Sequence, residues 1–290
     1  MELIDTHCHL FKNPLMRDIG GVLDRARSSG VHGIIVPAYD LASWGVVREL
    51  RSRDGVYPAL GLHPWIANHL LTNDDGETRD NANILPGVWA VRPNLYPGST
   101  EFLDHLPLRE FRDRLAGKLV DSGAVAIGEI GLDFTIERPT PKGQFPILSV
   151  QLELAADLNL PVIVHCRNGW ELLVSALQPF AGRIRGVLHG YTRPPELAVP
   201  FLNIGFYVGI GGALTRETAI RTRRSASALP LDRILIETDA PSMSMEGVDS
   251  GRTEPCHARR VAEAIAEVRG ASIEDIARAT TNNARELFRI

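Results

Sequence analysis

Histidines and carboxylates recur at the ends of short apolar runs along most of this chain: His7 and His9 after ELID, His63 after YPALGL, Glu129 after AVAIG, His165 after PVIV, His189 after GVL and Asp239 after ILIET. Imidazole with carboxylate is the donor set of Zn, Mn, Fe or Co, and a larger share of carboxylate or water favours Mg. An unpaired buried carboxylate is costly, so such groups converging on one place imply one or two compensating divalent ions. Glu129, central in the strand order, has two oxygens with which to bridge a pair of ions. Two metals roughly 3.5 to 4 Å apart activate a shared water and stabilise both the attacking and the leaving oxygen, so hydrolysis is the favoured chemistry.

The elements that must position these groups follow from alternation. Strand-like runs fall near residues 2–7, 32–38, 56–62, 124–130, 161–165, 185–189, 205–209 and 233–238. Amphipathic helical stretches such as DIGGVLDRARSSG, LASWGVVRELRSR, EFRDRLAGKLVDSG, QFPILSVQLELAADLN and WELLVSALQPF fill most intervals. Strands alternating with helices predict an α/β fold, a parallel (β/α)8 TIM barrel, whose chemistry gathers at the carboxyl ends of the strands. A doubly wound open sheet is the rival, but it binds at a single crevice and does not need groups from six strands. Without a Gly, Ser or Pro linker or an internal repeat, residues 1–290 read as one domain. The exception is a polar, Asn-, Gly- and Pro-rich insertion at about 72–104, long enough to be a lid or a solvated loop.

Residues two apart in a strand share a face, so His7 and His9 both reach the barrel mouth while Cys8 between them faces away. Cys166 beside His165 reads the same way, and both pack as small hydrophobes rather than as metal ligands. Asp5 and Glu237 share the parity of the neighbouring ligands and could orient them. With Cys256, the cysteines are odd in number, which favours a reducing compartment over a disulfide framework. The opening MELIDTHCHL has no secretory signal pattern, and no apolar run is long enough to span a bilayer, so a cytoplasmic protein is expected. A net charge of -4 gives no global attraction for nucleic acid or an anionic membrane; a polyanionic substrate needs a local patch or a metal.

The segments IDTHCH, GLHPW, AIGEIGLDF, QLELAADLNLPVIVHCR, LHGYT, LIETDAP and TTNNARELF span the chain in order. Together they make it resemble the TatD family of metal-dependent deoxyribonucleases, amidohydrolase-like TIM barrels, and within it the bacterial TatD-type hydrolases. The resemblance implies that His7, His9, Glu129 and Asp239 hold one ion and that Glu129, His165 and His189 hold the other. It implies catalytic roles for Glu129 and Asp239, with Asp239 orienting or deprotonating the attacking water. His63, in the family's Gly-x-His-Pro, would lie by the scissile group and bind substrate.

Other residues keep two readings. Asp133 could take a leaving-group proton, steady a histidine behind the metal, or cap the next segment. Arg167 could hold a phosphate through its planar fork or make a surface ion pair. Arg216, Arg221, Arg223 and Arg224 could track a nucleic-acid backbone, although such a run more often forms the solvated face of a helix. The chain also departs from the family where substrate would be read. HGYTRPP, with Tyr191, stands where His-x-Phe-x-Gly is usual, GRTEP around Arg252 replaces an Arg-Asn-Pro-like segment, and the 72–104 insertion is longer than the family connection.

The expectation is therefore a hydrolase of ester bonds using one or two divalent metals (Zn, Mg, Mn or similar), a TatD-like deoxyribonuclease that cleaves DNA phosphodiesters from a strand end by a metal-activated water. Single-stranded DNA suits a narrow mouth, with bases stacked on exposed aromatics such as Trp65 or Tyr191. Two alternatives remain: hydrolysis of a carboxylic ester or amide, including aminoacyl-tRNA, and a non-catalytic metal-bound adaptor. No membrane contact and no obligate protein partner are inferred.

Overall fold

The computed structural model describes residues 1–71, 106–135 and 141–290; the insertion expected at 72–104 lies outside them. Strands β1 (Leu3–Asp5), β2 (Val31–Pro37), β3 (Val56–Leu60), β4 (Ala126–Asp133), β5 (Val162–Arg167), β6 (Gly186–Leu188), β7 (Phe206–Ile210) and β8 (Ile234–Ile236) form one eight-stranded parallel sheet in sequence order. Its two edges meet just past β1 and β8. Thr6 N–H donates to Ile236 O (2.9 Å), Asp239 N–H to His7 O (2.8 Å) and His9 N–H to Ala240 O (2.8 Å). The barrel is closed through the very residues that carry candidate ligands.

Each strand contributes one residue to an apolar layer inside the barrel: Ile4, Ile35, Ala59, Ala126, Ile163, Val187, Tyr207 and Leu235. Helices α1 (Ile19–Ser28), α2 (Leu41–Leu50), α3 (Pro64–Leu71), α4 (Leu106–Ser122), α5 (Pro141–Leu158), α6 (Trp170–Leu177), α7 (Pro195–Ile204), α8 (Ile220–Ala228) and α9 (Ala258–Arg269) alternate with the strands, and the larger apolar core, Cys8 and Cys166 included, packs around the barrel. Helix α2 begins on a reciprocal capping box between Asp40 and Ser43, and α7 ends on Gly205 at φ 96°, a left-handed turn that glycine adopts without strain.

The last helix, α10 (Ile273–Phe288), closes the floor. Its Ala284, Leu287 and Phe288 join the interior layer. Asn283 donates to the carbonyls of Leu231 (2.9 Å) and Ile234 (2.8 Å), and Thr281 donates to Glu2 O (2.8 Å), which ties α10 to the start of β1 and β8.

Inward alternation carries straight to the mouth in four strands: Ala59 to His63, Ile163 to His165, Val187 to His189, and Leu235 to Glu237 and Asp239. Two strands depart from it. In β4 the register against β5 advances from Ile127↔Val162 to Ile130↔Val164, an extra residue that makes a bulge and turns Glu129 rather than Ile130 inward. In β1 the strand stops at Asp5, whose carboxylate accepts His7 N–H (3.3 Å) in an Asx turn, so His7 and His9, not Thr6 and Cys8, reach the mouth. Both β4 and β5 also run further than expected, leaving Glu129 and His165 inside strands rather than at their ends.

Candidate metal centre

Glu129, 4% exposed, stands at the middle of a histidine cluster and presents its two oxygens to different neighbours. Oε2 lies 3.4 Å from His7 Nε2 and 3.6 Å from His9 Nε2, and those nitrogens lie 3.8 Å and 3.4 Å from Asp239 Oδ1. Oε1 lies 3.1 Å from His165 Nδ1, 3.3 Å from His189 Nε2 and 3.3 Å from His63 Nε2. The structure thus brings together every residue that the spacing placed at the mouth, in two groups that share Glu129.

Fixed partners decide which nitrogen of His9, His165 and His63 carries a proton. His9 Nδ1 faces the carbonyl of Pro37 (3.0 Å) and His165 Nε2 faces Asp133 Oδ2 (2.9 Å). Both partners only accept, so the neutral rings hold their protons there and turn bare His9 Nε2 and His165 Nδ1 into the cluster. His189 Nδ1 lies 3.4 Å from Glu237 Oε1, which also accepts Gly190 N–H at 2.5 Å. His63 is the opposite case. Its Nδ1 accepts the backbone N–H of Trp65 (3.1 Å), so the neutral ring is protonated at Nε2. Although His63, Glu129 and His165 are close enough to enclose a cation, a protonated nitrogen donates and cannot ligate.

The donor set fits a divalent cation. Bare nitrogens facing carboxylate oxygens at 3.1–3.6 Å repel one another unless a proton or a cation lies between them. Two ligands held about 2.0–2.2 Å from one ion are themselves roughly 3.0–3.5 Å apart, close to the spacings seen here. The His7 and His189 rings stack at 3.7 Å, which also brings both groups within reach of each other.

The charge balance agrees. Burial alone would raise the Glu129 carboxyl, yet His63, His189, His7 and His165 around it hold it well below the usual range. Burial likewise opposes ionisation of Asp239, but His9, with His189 and His7, brings it down to about 2. Burial lowers His63 to about 4 and lowers His7 as well. His165 and His189 are raised despite burial, by Asp133 and Glu129 in the first case and by Glu129 and Glu237 in the second.

Backbone glycines and two glutamines hold this geometry. A Cβ on Gly128 would sit 2.6 Å from Ile163 Cβ, and one on Gly131 (φ 140°) would sit 1.9 Å from His165 O. Gln151 of α5 donates to Leu62 O (3.2 Å) and accepts Leu62 N–H (2.7 Å), fixing the chain next to His63. One face along the helix, Gln144 does the same for Asp133 N–H (2.8 Å) and O (2.7 Å). Sequence reasoning missed this pair, whose signal is two glutamines seven apart on an otherwise apolar face. Asp5 positions His7 through the backbone: it accepts His7 N–H together with Thr238 N–H (2.9 Å) and the Thr238 hydroxyl (2.6 Å), and so also ties β1 to the end of β8.

Above the cluster opens a cavity of about 750 Å³ whose lining includes Lys12, Trp65, Arg167, Arg193 and Ser242. Arg167 lies on it, as a phosphate contact would require. Two expected substrate contacts do not. Tyr191 is fully buried, donates its hydroxyl to Pro194 O (2.6 Å) and packs edge-on against Trp170, so its ring is part of the core. Asp133 is also fully buried, and it accepts from His165, from Trp65 Nε1 (2.9 Å) and from Thr135; of its readings, the carboxylate behind a histidine is the one the geometry favours. Of the arginines after β7, Arg223 pairs with Glu267 and Arg224 with Glu196, which fits a solvated helix face, whereas Arg216 donates to Ser244 on the cavity rim. Arg252 is exposed and off the cavity lining.

A closed parallel barrel with imidazoles and carboxylates at its carboxyl end defines a metal-dependent hydrolase. The family described as TatD related DNase matches residues 4–289, and the chain belongs to it. It is 32% identical over 290 residues to the metal-dependent hydrolase YjjV of Escherichia coli K12, covering 100% of this chain and 98% of that protein. The crystal structure of that TatD homologue superposes with a TM-score of 0.80 at 31% identity, over 99% of this chain and 98% of the other. A 3'-5' ssDNA/RNA exonuclease TatD from Klebsiella pneumoniae is 29% identical, over 99% of this chain and 98% of its own length. No helix among the described residues is long and apolar enough to cross a membrane.

Proposed function

We propose that this hydrolase cleaves phosphodiester bonds in single-stranded DNA, trimming from a strand end. The observation that carries the reading is the cationic mouth: in a chain of net charge -4, Lys12, Arg167 and Arg193 line the cavity that opens on the carboxylate and histidine cluster. This is the local patch that a polyanionic substrate requires. The name of the Klebsiella relative supports the same substrate class.

His7, His9, Glu129 and Asp239 would hold one divalent ion, and Glu129, His165 and His189 a second, with imidazole-rich donors favouring Zn or Mn over Mg. A bound ion of this kind supplies Lewis acidity and makes water a nucleophile near neutral pH. Asp239, partly exposed at the mouth and held ionised, accepts the proton of the attacking water. His63 Nε2–H donates to a phosphoryl oxygen, stabilising the charge that builds there as the P–O bond to the leaving group breaks. Arg167, Arg193 and Lys12 hold the flanking phosphates. The free Cys8, Cys166 and Cys256 fit work in a reducing compartment, the cytoplasm.

Purified Glu129→Ala and Asp239→Asn variants should remain folded by circular dichroism and lose metal-dependent cleavage of a labelled single-stranded oligonucleotide by at least about 10³-fold. Full activity in either variant would refute the site. Turnover of aminoacylated tRNA or aryl esters, with oligonucleotides untouched in matched metals, would move the chemistry from phosphorus to a carbonyl carbon.

A further inference from the structure

Three aromatic side chains line the cavity, and their surroundings differ. Tyr39 has the Lys12 ammonium over its ring at 4.6 Å. Trp170 packs edge-on against Tyr191 and Phe201, at 5.5 Å and 6.0 Å. Trp65 is 45% exposed and lines the cavity, with the His63 and His165 rings as its ring neighbours among the described residues.

That indole is held rather than loose. Its Nε1–H donates to Asp133 Oδ2 at 2.9 Å, the same oxygen that accepts His165 Nε2–H at 2.9 Å. Its ring meets His63 edge-on at 4.8 Å and His165 at 6.5 Å, and its backbone N–H sets the protonation of His63. One carboxylate oxygen therefore fixes a candidate metal ligand and an exposed aromatic plane in a single arrangement. Large apolar surface exposed in a cationic cavity, with its rotamer already locked, is what a flat, partly apolar ligand binds at low entropic cost.

Resting on the phosphodiesterase reading above, we infer that Trp65 is the stacking platform for the terminal nucleobase, one nucleoside away from the phosphate that is cut. Asp133 is a positioning residue that sets the platform relative to His165. Stacking of this kind is indifferent to base identity, because every base has a π face, so the site recognises the presence of a terminal base and not its sequence.

The test compares a single-stranded oligonucleotide with the same strand carrying an abasic residue at the trimmed end, using the full chain loaded with Mn. The unaltered enzyme should prefer the base-bearing end in kcat/KM by roughly 5- to 150-fold. Trp65→Ala should bring that ratio close to 1, and Trp65→Phe, which keeps a π face but loses the Nε1–H bond to Asp133, should retain part of the preference. Trp65→Leu, bulky but without a π face, gives the same readout if the Ala variant does not fold. A preference that survives in Trp65→Ala or Trp65→Leu overturns the platform while leaving the phosphodiesterase reading intact. If the unaltered enzyme trims neither strand, the phosphodiesterase reading falls and takes the platform with it.

Discussion

Asp133 holds the proton of His165 on Nε2 by accepting it, and so keeps Nδ1 bare toward Glu129. An amide in its place can donate instead, which turns the ring to the wrong tautomer. Asp133→Asn should weaken divalent-metal binding by about 10- to 100-fold in calorimetric titrations, with the fold unchanged by circular dichroism. Unaltered metal affinity in that variant would show that the tautomer is set elsewhere. The same reasoning separates His63 from the other histidines, because all five share similar burial and similar distances to a carboxylate. Proximity groups them; a donor behind His63, against acceptors behind His9 and His165, sorts them.

Secondary structure delivers the cluster through strand alternation, and much of that was legible from residue types. His63, His165, His189 and Asp239 follow the interior positions of their strands at even spacing, so apolar periodicity located them. Glu129 and the His7 and His9 pair did not follow that way: a bulge in β4 and an Asx turn after β1 each shift the chain by one position, and neither leaves a periodic trace. Tyr191 misled for a related reason, since an aromatic in a loop motif does not show that its hydroxyl finds a backbone carbonyl and its ring a core neighbour. Helix α5 underpins the mouth through Gln144 and Gln151. Gln151→Leu leaves Leu62 N–H and O unpaired in a buried place, at a cost of about 1–3 kcal/mol, and should lower the melting temperature by roughly 2–10 °C in a thermal scan. A variant as stable as the parent would mean that the strand end finds other partners.

For the molecule as a whole, the contrast between a mildly acidic chain and a cationic mouth makes binding a matter of local field. Affinity for a single-stranded oligonucleotide, measured by anisotropy with a non-cleaving metal, should fall as salt rises, with a slope of about −0.7 in log–log terms for each phosphate neutralised. Arg193→Ala and Lys12→Ala should each make that slope shallower by about 0.7. A slope indifferent to both substitutions would place the phosphate track on another face.

The interior layer of one side chain per strand and the α10 floor of Ala284, Leu287 and Phe288 leave the barrel without a rear exit. Whatever enters must withdraw by the route it came. For a polymer this means that its end can travel no deeper than the cluster, because the space between the cluster and the α10 floor is already filled by side chains.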